Sequence, residues 1–420
     1  HLIYLFMGGF FIAVTMERWD LHRRVALHTI KLVGLTPGRM ILGFMIASGF
    51  LSAWVSNTAT TMMMLPIAMA VVEEARRNHP DDPLLDNFAR ALVLGMAYAS
   101  SMGGVATLIG TPPNVVMAGM VEKMFGVQIG FARWMSFGVP LAVLMITISW
   151  FILTRFLFPM KSLQLAGSAD LLNRQLASLG KISRQEKLVI LIGASAGLFW
   201  ISRGFVAKSA AVKAAWPSFG YVHDATIAMV CALALFIIPV NLKRREFLLD
   251  WKTAVKIPWD VIILFGGGLA IAKGFGHTGL AAYVANLFLA LKGSGLLVFV
   301  TAVVFFTIFM TEITSNTATT TLLIRIMGSA AVALGIHPFA TIISTAISAS
   351  FAFMLPVATP PNAVVFGSGY VTIKEMAKAG LWINLIGAVV IIFFVMVLLP
   401  PLWGIDLHSV PAWAAATVAP

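Results

Sequence analysis

Ser56-Asn57-Thr58-Ala59-Thr60-Thr61 returns letter for letter as Ser315-Asn316-Thr317-Ala318-Thr319-Thr320, 259 residues further on. Each copy stands in the middle of an apolar stretch, 36–72 and 294–330. Hydroxyls and amides are costly in such surroundings unless they find partners. Ser, Thr and Asn favour helix N-caps and turns, where they bond the local backbone. Each copy therefore reads as the tip of a helical hairpin that dips into the membrane and returns. Such a tip presents an N-terminal helix end, with free N–H groups and a positive dipole.

The same offset extends upstream. His1–Ile30 lies over Asp260–Leu289 without a gap, pairing Leu5, Phe6, Gly8, Gly9, Ile12 and Ala13 with Leu264, Phe265, Gly267, Gly268, Ile271 and Ala272. Downstream, Thr111-Pro112-Pro113-Asn114 recurs as Thr359-Pro360-Pro361-Asn362, at an offset of 248. Two motifs repeated in one order mark a duplicated, transporter-like unit. Each proline pair removes two backbone donors and clashes with the preceding turn, so both segments should break a helix. The carbonyls of Leu108 to Gly110 and of Pro356 to Ala358 are expected to lose their helical partners. Irregular backbone at this depth is tolerated where it lines a cavity or is buried in protein.

Composition sets the class around these motifs. Of 420 residues, 59% are hydrophobic and 11% charged, with mean hydropathy +0.92. A soluble domain carries about 25% charged residues. At about 20 apolar residues per crossing, the chain has room for roughly ten spans. The expected fold class is all-α and polytopic, because a β-barrel would show short alternating strands instead. Spans are expected near 2–17, 89–109, 113–128, 134–159, 188–202, 225–240, 261–276, 339–357 and 380–400. The net charge of +12 suits cytoplasmic loops, and the chain is far too apolar to be a nucleic-acid binder. Cys231 is the only cysteine, which excludes an intrachain disulfide or a cysteine cluster. The eight histidines lack zinc-site spacing.

Charge also orients the repeats. The arm after the first opening helix carries Arg18, Arg23, Arg24 and Lys31, whereas the matching arm at 277–292 carries only Lys292. The positive-inside rule puts the first arm in the cytoplasm and the second outside, which makes the repeats inverted. The basic segments 161–187 and 243–256 then fall in the cytoplasm too. Two spans precede Asp260 and none precedes His1, so at least two further helices are expected ahead of residue 1.

The segments 52–65, 98–119 and 344–369 contain no charge, and 311–324 contains only Glu312. Helix N-termini without Arg or Lys hold an anion weakly. Freed carbonyls with Asn and Ser oxygens suit a hard monovalent cation. The economical site binds both, with cations at the hairpin bases balancing an anionic substrate, so transport should require the cation. An intramembrane carboxylate such as Glu312 is a functional candidate, for instance as a proton carrier. Its repeat equivalent is Ala53, so a bracing role on backbone N–H groups or a basic partner is the preferred expectation.

These residues resemble the divalent anion/sodium symporter family, the dicarboxylate, citrate and sulfate carriers of the ion transporter superfamily. The paired Ser-Asn-Thr motifs look like its hallmark, and Ala349-Ser350-Phe351-Ala352-Phe353-Met354-Leu355-Pro356-Val357-Ala358-Thr359-Pro360-Pro361-Asn362-Ala363-Val364-Val365 is similar to its signature. The resemblance covers essentially the whole chain. It implies a homodimer in a bacterial cytoplasmic (inner) membrane, in which a mobile transport domain slides past a fixed scaffold as an elevator. Residues 1–35 would form the scaffold helix and arm of repeat one. Residues 36–160 would form the first transport half (hairpin 36–72, broken helix 89–128, helix 134–159). Residues 161–187 would be a cytoplasmic linker, and 188–293 the scaffold helices and arm of repeat two. Residues 294–420 would form the second transport half (hairpin 294–330, broken helix 339–370, last helix 380–400).

Carried over by motif, one Na+ would sit with Ser52, Ser56, Asn57 and the Gly110 carbonyl. A second would sit with Thr311, Thr314, Ser315, Asn316 and the Ala358 carbonyl. Substrate would meet Asn57, Thr58, Thr111 and Pro112 on one side, and Asn316, Thr317, Thr359 and Pro360 on the other. Two symmetric tips suit an anion charged at both ends, such as succinate, malate or fumarate. No organic cofactor is implied. A sodium-independent dicarboxylate exchanger and a citrate or sulfate symporter are the alternatives within the family. A membrane-embedded enzyme would need paired carboxylates, a metal cluster or a nucleophile–base pair, and the motif segments offer none. A passive channel would need a continuous pore rather than two closed hairpins.

Overall fold

Helix α1 (Leu2–Arg18) is apolar to its last turn and ends before Asp20, whose backbone is left-handed at φ 52°. Asp accepts that conformation more readily than most residues. The chain then forms α2 (Leu21–Val33), so the basic arm is itself a helix, with Leu21, Ala26, Leu27 and Ile30 buried on one face. The computed structural model describes residues 2–78, 82–161, 163, 165, 167–207, 209–259, 261–263, 266–267, 270, 274, 278, 293 and 295–415. The opening of the second copy, from 260 to 289, and its arm at 277–292 lie outside the described residues apart from isolated positions.

Both Ser-Asn-Thr stretches form helical hairpins. The first comprises α3 (Pro37–Ser52) and α4 (Asn57–Asn78), with a tip at 53–56. Then come α5 (Leu84–Val105), an unwound stretch, and α6 (Pro112–Phe125), which begins on the proline pair and ends at Gly126, φ 68°. This is the expected polarity of proline at the first helical position and glycine past the last. Helix α7 (Phe131–Ile152) runs on into a π-turn at Leu153–Leu157. A middle section follows: α8 (Ser168–Ser178), α9 (Arg184–Val206), α10 (Ala210–Ala215), a 3-10 turn at Pro217–Tyr221, α11 (Asp224–Ile237) and α12 (Trp251–Ala254). The second hairpin comprises α13 (Leu296–Ile313) and α14 (Asn316–Ala333). Its sequel is α15 (Pro338–Ser348), a second unwound stretch, α16 (Pro360–Phe366), α17 (Ile373–Phe393), α18 (Leu399–Trp403) and α19 (Ala412–Ala415).

The regular structure described is helical apart from Pro239–Asn241 and Glu246–Phe247, which pair as an antiparallel two-stranded ribbon. The segment 161–187 carries α8. One expectation needs correction: both broken helices stop earlier than the proline pairs alone dictate. The expected 89–109 ends at Val105, and the expected 339–357 ends at Ser348. The cause lies in the tertiary hydrogen bonds of the next subsection.

Ion pairs gather the basic segments at one end. Arg18 meets Asp250 at 2.9 Å, Arg24 meets Glu186 at 2.5 Å, and Lys31 Nζ donates to Asn173 Oδ1 at 2.9 Å. Arm, linker and the stretch that follows the ribbon therefore lie together. Arg203 lies about 26 Å further along α9 by the helical rise per residue, and there it pairs with Asp224 at 2.6 Å. Among the described residues, Phe131–Leu157, Leu296–Ile313 and Ile373–Trp403 are long and apolar enough to cross a membrane.

The two halves interlock. Helix α14 of the second hairpin packs on α6, and α16 packs on α4 and α5. Inside the first half, α3 meets α5 backbone to backbone: a Cβ on Gly103 would strike the carbonyl and Cα of Gly49. That contact fixes the hairpin against the helix that unwinds at its end.

Candidate functional site

The two tips are built alike. The Ser52 hydroxyl is hydrogen-bonded to the Asn57 side-chain amide at 2.6 Å, and the Thr311 hydroxyl to the Asn316 side-chain amide at 2.8 Å. One turn into each second arm, Thr61 Oγ1 donates to Asn57 O (2.9 Å) and Thr320 Oγ1 to Asn316 O (2.7 Å). Ser56 caps its helix by accepting from Ala59 N–H at 3.2 Å. Ser315, at the same place, is exposed and makes no side-chain cap. Thr314 instead turns to Met310 O (2.8 Å) and Thr319 Oγ1 (2.5 Å).

Asn57 also reaches the broken helix, at Ser100 in α5 and at Gly110 in the unwound stretch. Its Oδ1 lies 3.1 Å from Gly110 O and 3.3 Å from Ser100 O, and turned over, its amide nitrogen donates to the same oxygens. With the nitrogen inward, Asn57 Nδ2 satisfies Gly110 O, Ser100 O and Ser52 Oγ; were the oxygen to turn inward for a cation, Ser52 Oγ, Asn57 Oδ1, Ser100 O and Gly110 O would form an all-oxygen nest. Such a nest is repulsive by itself and suits a hard cation. Two glycines allow it: a Cβ on Gly104 would strike the Asn57 amide, and one on Gly110 would come within 2.5 Å of Gly104 O and 2.9 Å of Ser52 O. In the second half, Thr311 Oγ1 donates to Ala349 O at 2.9 Å.

The broken helices are held open by two asparagines whose role the sequence reading did not assign. Asn114 Nδ2 donates to Gly104 O (3.3 Å), Val105 O (3.2 Å) and Thr107 O (2.7 Å). Asn362 Nδ2 donates to Ala352 O and Leu355 O, each at 3.0 Å, the positions equivalent to 104 and 107. A side-chain amide thus replaces helical N–H partners, which is why the helices end early. The carbonyls so taken, at 104, 105 and 107 and at 352 and 355, lie just upstream of Leu108 to Gly110 and Pro356 to Ala358, which also stand in unwound backbone. The signal was present in the sequence, since both asparagines close the repeated Thr-Pro-Pro-Asn.

A third pair of braces matches in position but not in chemistry. The Trp134 indole donates to Val105 O at 2.9 Å, and the Tyr98 hydroxyl donates to Phe353 O at 2.9 Å. Glu312 has no counterpart in the first half. Its carboxylate accepts from the N–H groups of Phe353, Met354 and Leu355 and from the Asn384 amide. The bracing role expected for Glu312 on backbone N–H groups is what its bonds form.

Among the substrate candidates, Thr111, Thr317 and Thr359 are buried, Thr58 and Pro112 are half-buried, and Pro360 is exposed. Thr359 Oγ1 accepts from Asn362 N–H at 3.3 Å. Ala358 is buried, and its N–H donates to Leu355 O at 3.2 Å. Ser52 and Thr311 have no exposed surface.

Comparison with known proteins adds an independent line. Residues 1–405 match a family profile described as the sodium:sulfate symporter transmembrane region. The sodium-dependent dicarboxylate transporter SdcS of Staphylococcus saprophyticus is 44% identical over 409 residues, covering 96% of this chain and 78% of the relative. SdcS of Staphylococcus aureus is 42% identical over 412 residues, covering 97% and 78%. Two solved structures share the fold at low identity. One is MtrF of Neisseria gonorrhoeae, from a class of antimetabolite efflux pumps, with TM-score 0.62 and 12% identity over 94% of this chain and 80% of that one. The other is the YdaH transporter of Alcanivorax borkumensis, with TM-score 0.54 and 13% identity over 96% and 85%.

Proposed function

The chain belongs to the sodium:sulfate symporter family, and from that membership we propose that it carries C4-dicarboxylates together with sodium across a bacterial cytoplasmic membrane. The observation that carries this reading is the matched pair Ser52–Asn57 and Thr311–Asn316, each beside a helix unwound by its own asparagine. The family description speaks of sulfate. Relatives at 42–44% identity are dicarboxylate transporters, and two equivalent tips suit a molecule charged at both ends.

Sodium is cargo here rather than a resident cofactor. One ion sits with Ser52, Ser56, Asn57 and Gly110 O, the other with Thr311, Thr314, Asn316 and Ala358 O, with Ser315 at the rim. Each carboxylate of the substrate meets one tip: Asn57, Thr58, Thr111 and Pro112 take one, and Asn316, Thr317, Thr359 and Pro360 the other. No Lys or Arg lies in the four motif segments, so the two ions supply the positive charge. Binding of the dianion then depends on both ions being present, which is the physical basis of coupling.

The repeats are inverted, with the ion-paired arm, linker and ribbon on the cytoplasmic side. Hairpins 36–72 and 294–330 and the broken helices move as one transport unit. The segments 1–35 and 188–293 stand still in a homodimer, and the unit passes between them as an elevator. No step breaks a covalent bond, so the protein is a carrier and not an enzyme.

Labelled succinate uptake into proteoliposomes tests this directly, with external sodium compared with potassium and with or without succinate inside. Saturable uptake that needs a sodium gradient and no internal substrate is expected. Uptake that ignores sodium but needs internal dicarboxylate would make the protein an exchanger.

A further inference from the structure

We propose that Glu312 acts as a positioning residue whose negative charge strengthens the second cation site, so that the two sites bind sodium unequally. The inference rests on the two-site reading above. The Glu312 side chain is nearly sealed from solvent, at 4% exposure. Oε1 accepts from Phe353 N–H at 2.8 Å, Met354 N–H at 2.9 Å and Asn384 Nδ2 at 2.6 Å, while Oε2 accepts from Leu355 N–H at 3.1 Å. All four donors are neutral N–H groups. They satisfy the lone pairs of a carboxylate and leave its charge uncancelled.

Bracing by itself does not require that charge. The first half has Ala53 in place of Glu312, and Ala106 N–H, equivalent to Met354 N–H, donates to Gly103 O at 3.0 Å instead. There Thr107 Oγ1 donates to Ala53 O at 2.5 Å, and Gly110 N–H donates to Thr107 Oγ1 at 3.1 Å. The Trp134 indole completes the set on Val105 O. Burying a carboxylate costs more than any of these. What it adds is negative potential, in a medium where charge is poorly screened.

That potential falls on the second cation site. Glu312 follows Thr311 directly, and the Thr311 hydroxyl lies within hydrogen-bond distance of the Asn316 side-chain amide and of Ala349 O. Its other end holds Leu355, whose carbonyl in turn accepts from Ala358 N–H at 3.2 Å and Asn362 Nδ2 at 3.0 Å. The Ala358 carbonyl, a candidate ligand, therefore hangs from the segment that Glu312 grips. At the first site the ion meets only dipoles. The second site binds its ion more tightly and fills first.

The experiment measures sodium dependence of succinate uptake, together with calorimetric titration of sodium alone, for wild type and three variants. Glu312→Gln is expected to raise the half-saturating sodium concentration about tenfold, the size expected of a unit charge acting at an effective dielectric near ~20. Its succinate KM at saturating sodium should stay within about twofold of wild type, since only the ion step is weakened. Asn384→Ala removes a brace and keeps the charge, so its sodium dependence should match wild type. The exchange Glu312→Gln with Asn384→Asp moves the carboxylate across one 2.6 Å hydrogen bond and should recover most of the loss. If Glu312→Gln and Asn384→Ala both lower the maximal rate while neither shifts sodium dependence, Glu312 is a brace alone and the inference is overturned. Should Glu312→Gln fail to fold, the exchanged pair decides: near-wild-type sodium dependence supports the charge, and a tenfold weakening refutes it. Sodium-independent uptake by wild type defeats the two-site reading itself, before any variant is made.

Discussion

The Tyr98 hydroxyl, on the helix that unwinds in the first half, donates at 2.9 Å to Phe353 O in the unwound backbone of the second. Their rings also meet, with centroids 4.9 Å apart. Each half is thus braced by the other at the level where both helices are broken. Tyr98→Phe keeps the ring contact and strands a buried carbonyl. A loss of about 1–3 kcal/mol is expected, with a lower Tm in detergent and slower uptake. An unchanged Tm would show that the bond contributes nothing.

Asn57→Ala and Asn316→Ala should each abolish uptake while the protein still reaches the membrane. Each amide is the shared partner of a buried hydroxyl and of the adjoining tip. Wild-type uptake in both variants would refute the site assignment.

Asn114 and Asn362 carry the opposite expectation, a structural one. Replacing Asn114 by Leu takes the donor from Gly104 O and Thr107 O, and replacing Asn362 takes it from Ala352 O, while Val105 O keeps Trp134 and Leu355 O keeps Ala358 N–H. Each orphaned group costs about 1–3 kcal/mol, so both variants should express poorly or melt early. Binding that is lost with full thermal stability would contradict this, and would make the asparagines ligands instead.

Gly103→Ala should destabilise the protein by about 3 kcal/mol, because its Cβ meets the Gly49 backbone, which cannot step aside. Gly38→Ala is the control, with nothing within 4 Å of the added carbon. Equal melting temperatures for the two would mean that α3 and α5 tolerate separation.

Stability should fall on the acid side through His337. This residue caps α15 by accepting from Phe339 N–H at 3.1 Å. Burial, and then the neighbouring Arg133 charge, lower its pKa to about 4, against a partial opposing pull from Asp406. Between the ordinary histidine value of about 6.5 and about 4, the unfolded chain binds the proton and the folded one does not. The contribution is therefore intact above pH ~6.5 and declines as pH falls towards ~4. His337→Asn can keep a side-chain cap and has no proton to gain, so its melting curve should be flatter across that window. Parallel curves for the two proteins would exclude His337 as the source.

The repeats made much of this protein legible before any tertiary structure. Membrane class follows from composition, because few charges can be buried. The tips at 53–56 and the second-arm starts at Asn57 and Asn316 follow from local capping chemistry, which needs no distant partner. The helix starts at Pro112 and Pro360 follow from the missing N–H of proline. What the tertiary structure alone decided is where those helices end and which N–H groups Glu312 braces. Val105 and Ser348 are the final residues where the amides of Asn114 and Asn362 take carbonyls at 104, 105 and 107 and at 352 and 355, and no propensity encodes that capture. Glu312 meets Phe353 and Asn384 across 41 and 72 residues of chain, and Tyr98 meets Phe353 across 255. Contacts at such separations arise only once the hairpins have packed. Local geometry is set by neighbouring residues and can be read from their order; a buried polar group takes whichever donor the packed core brings to it.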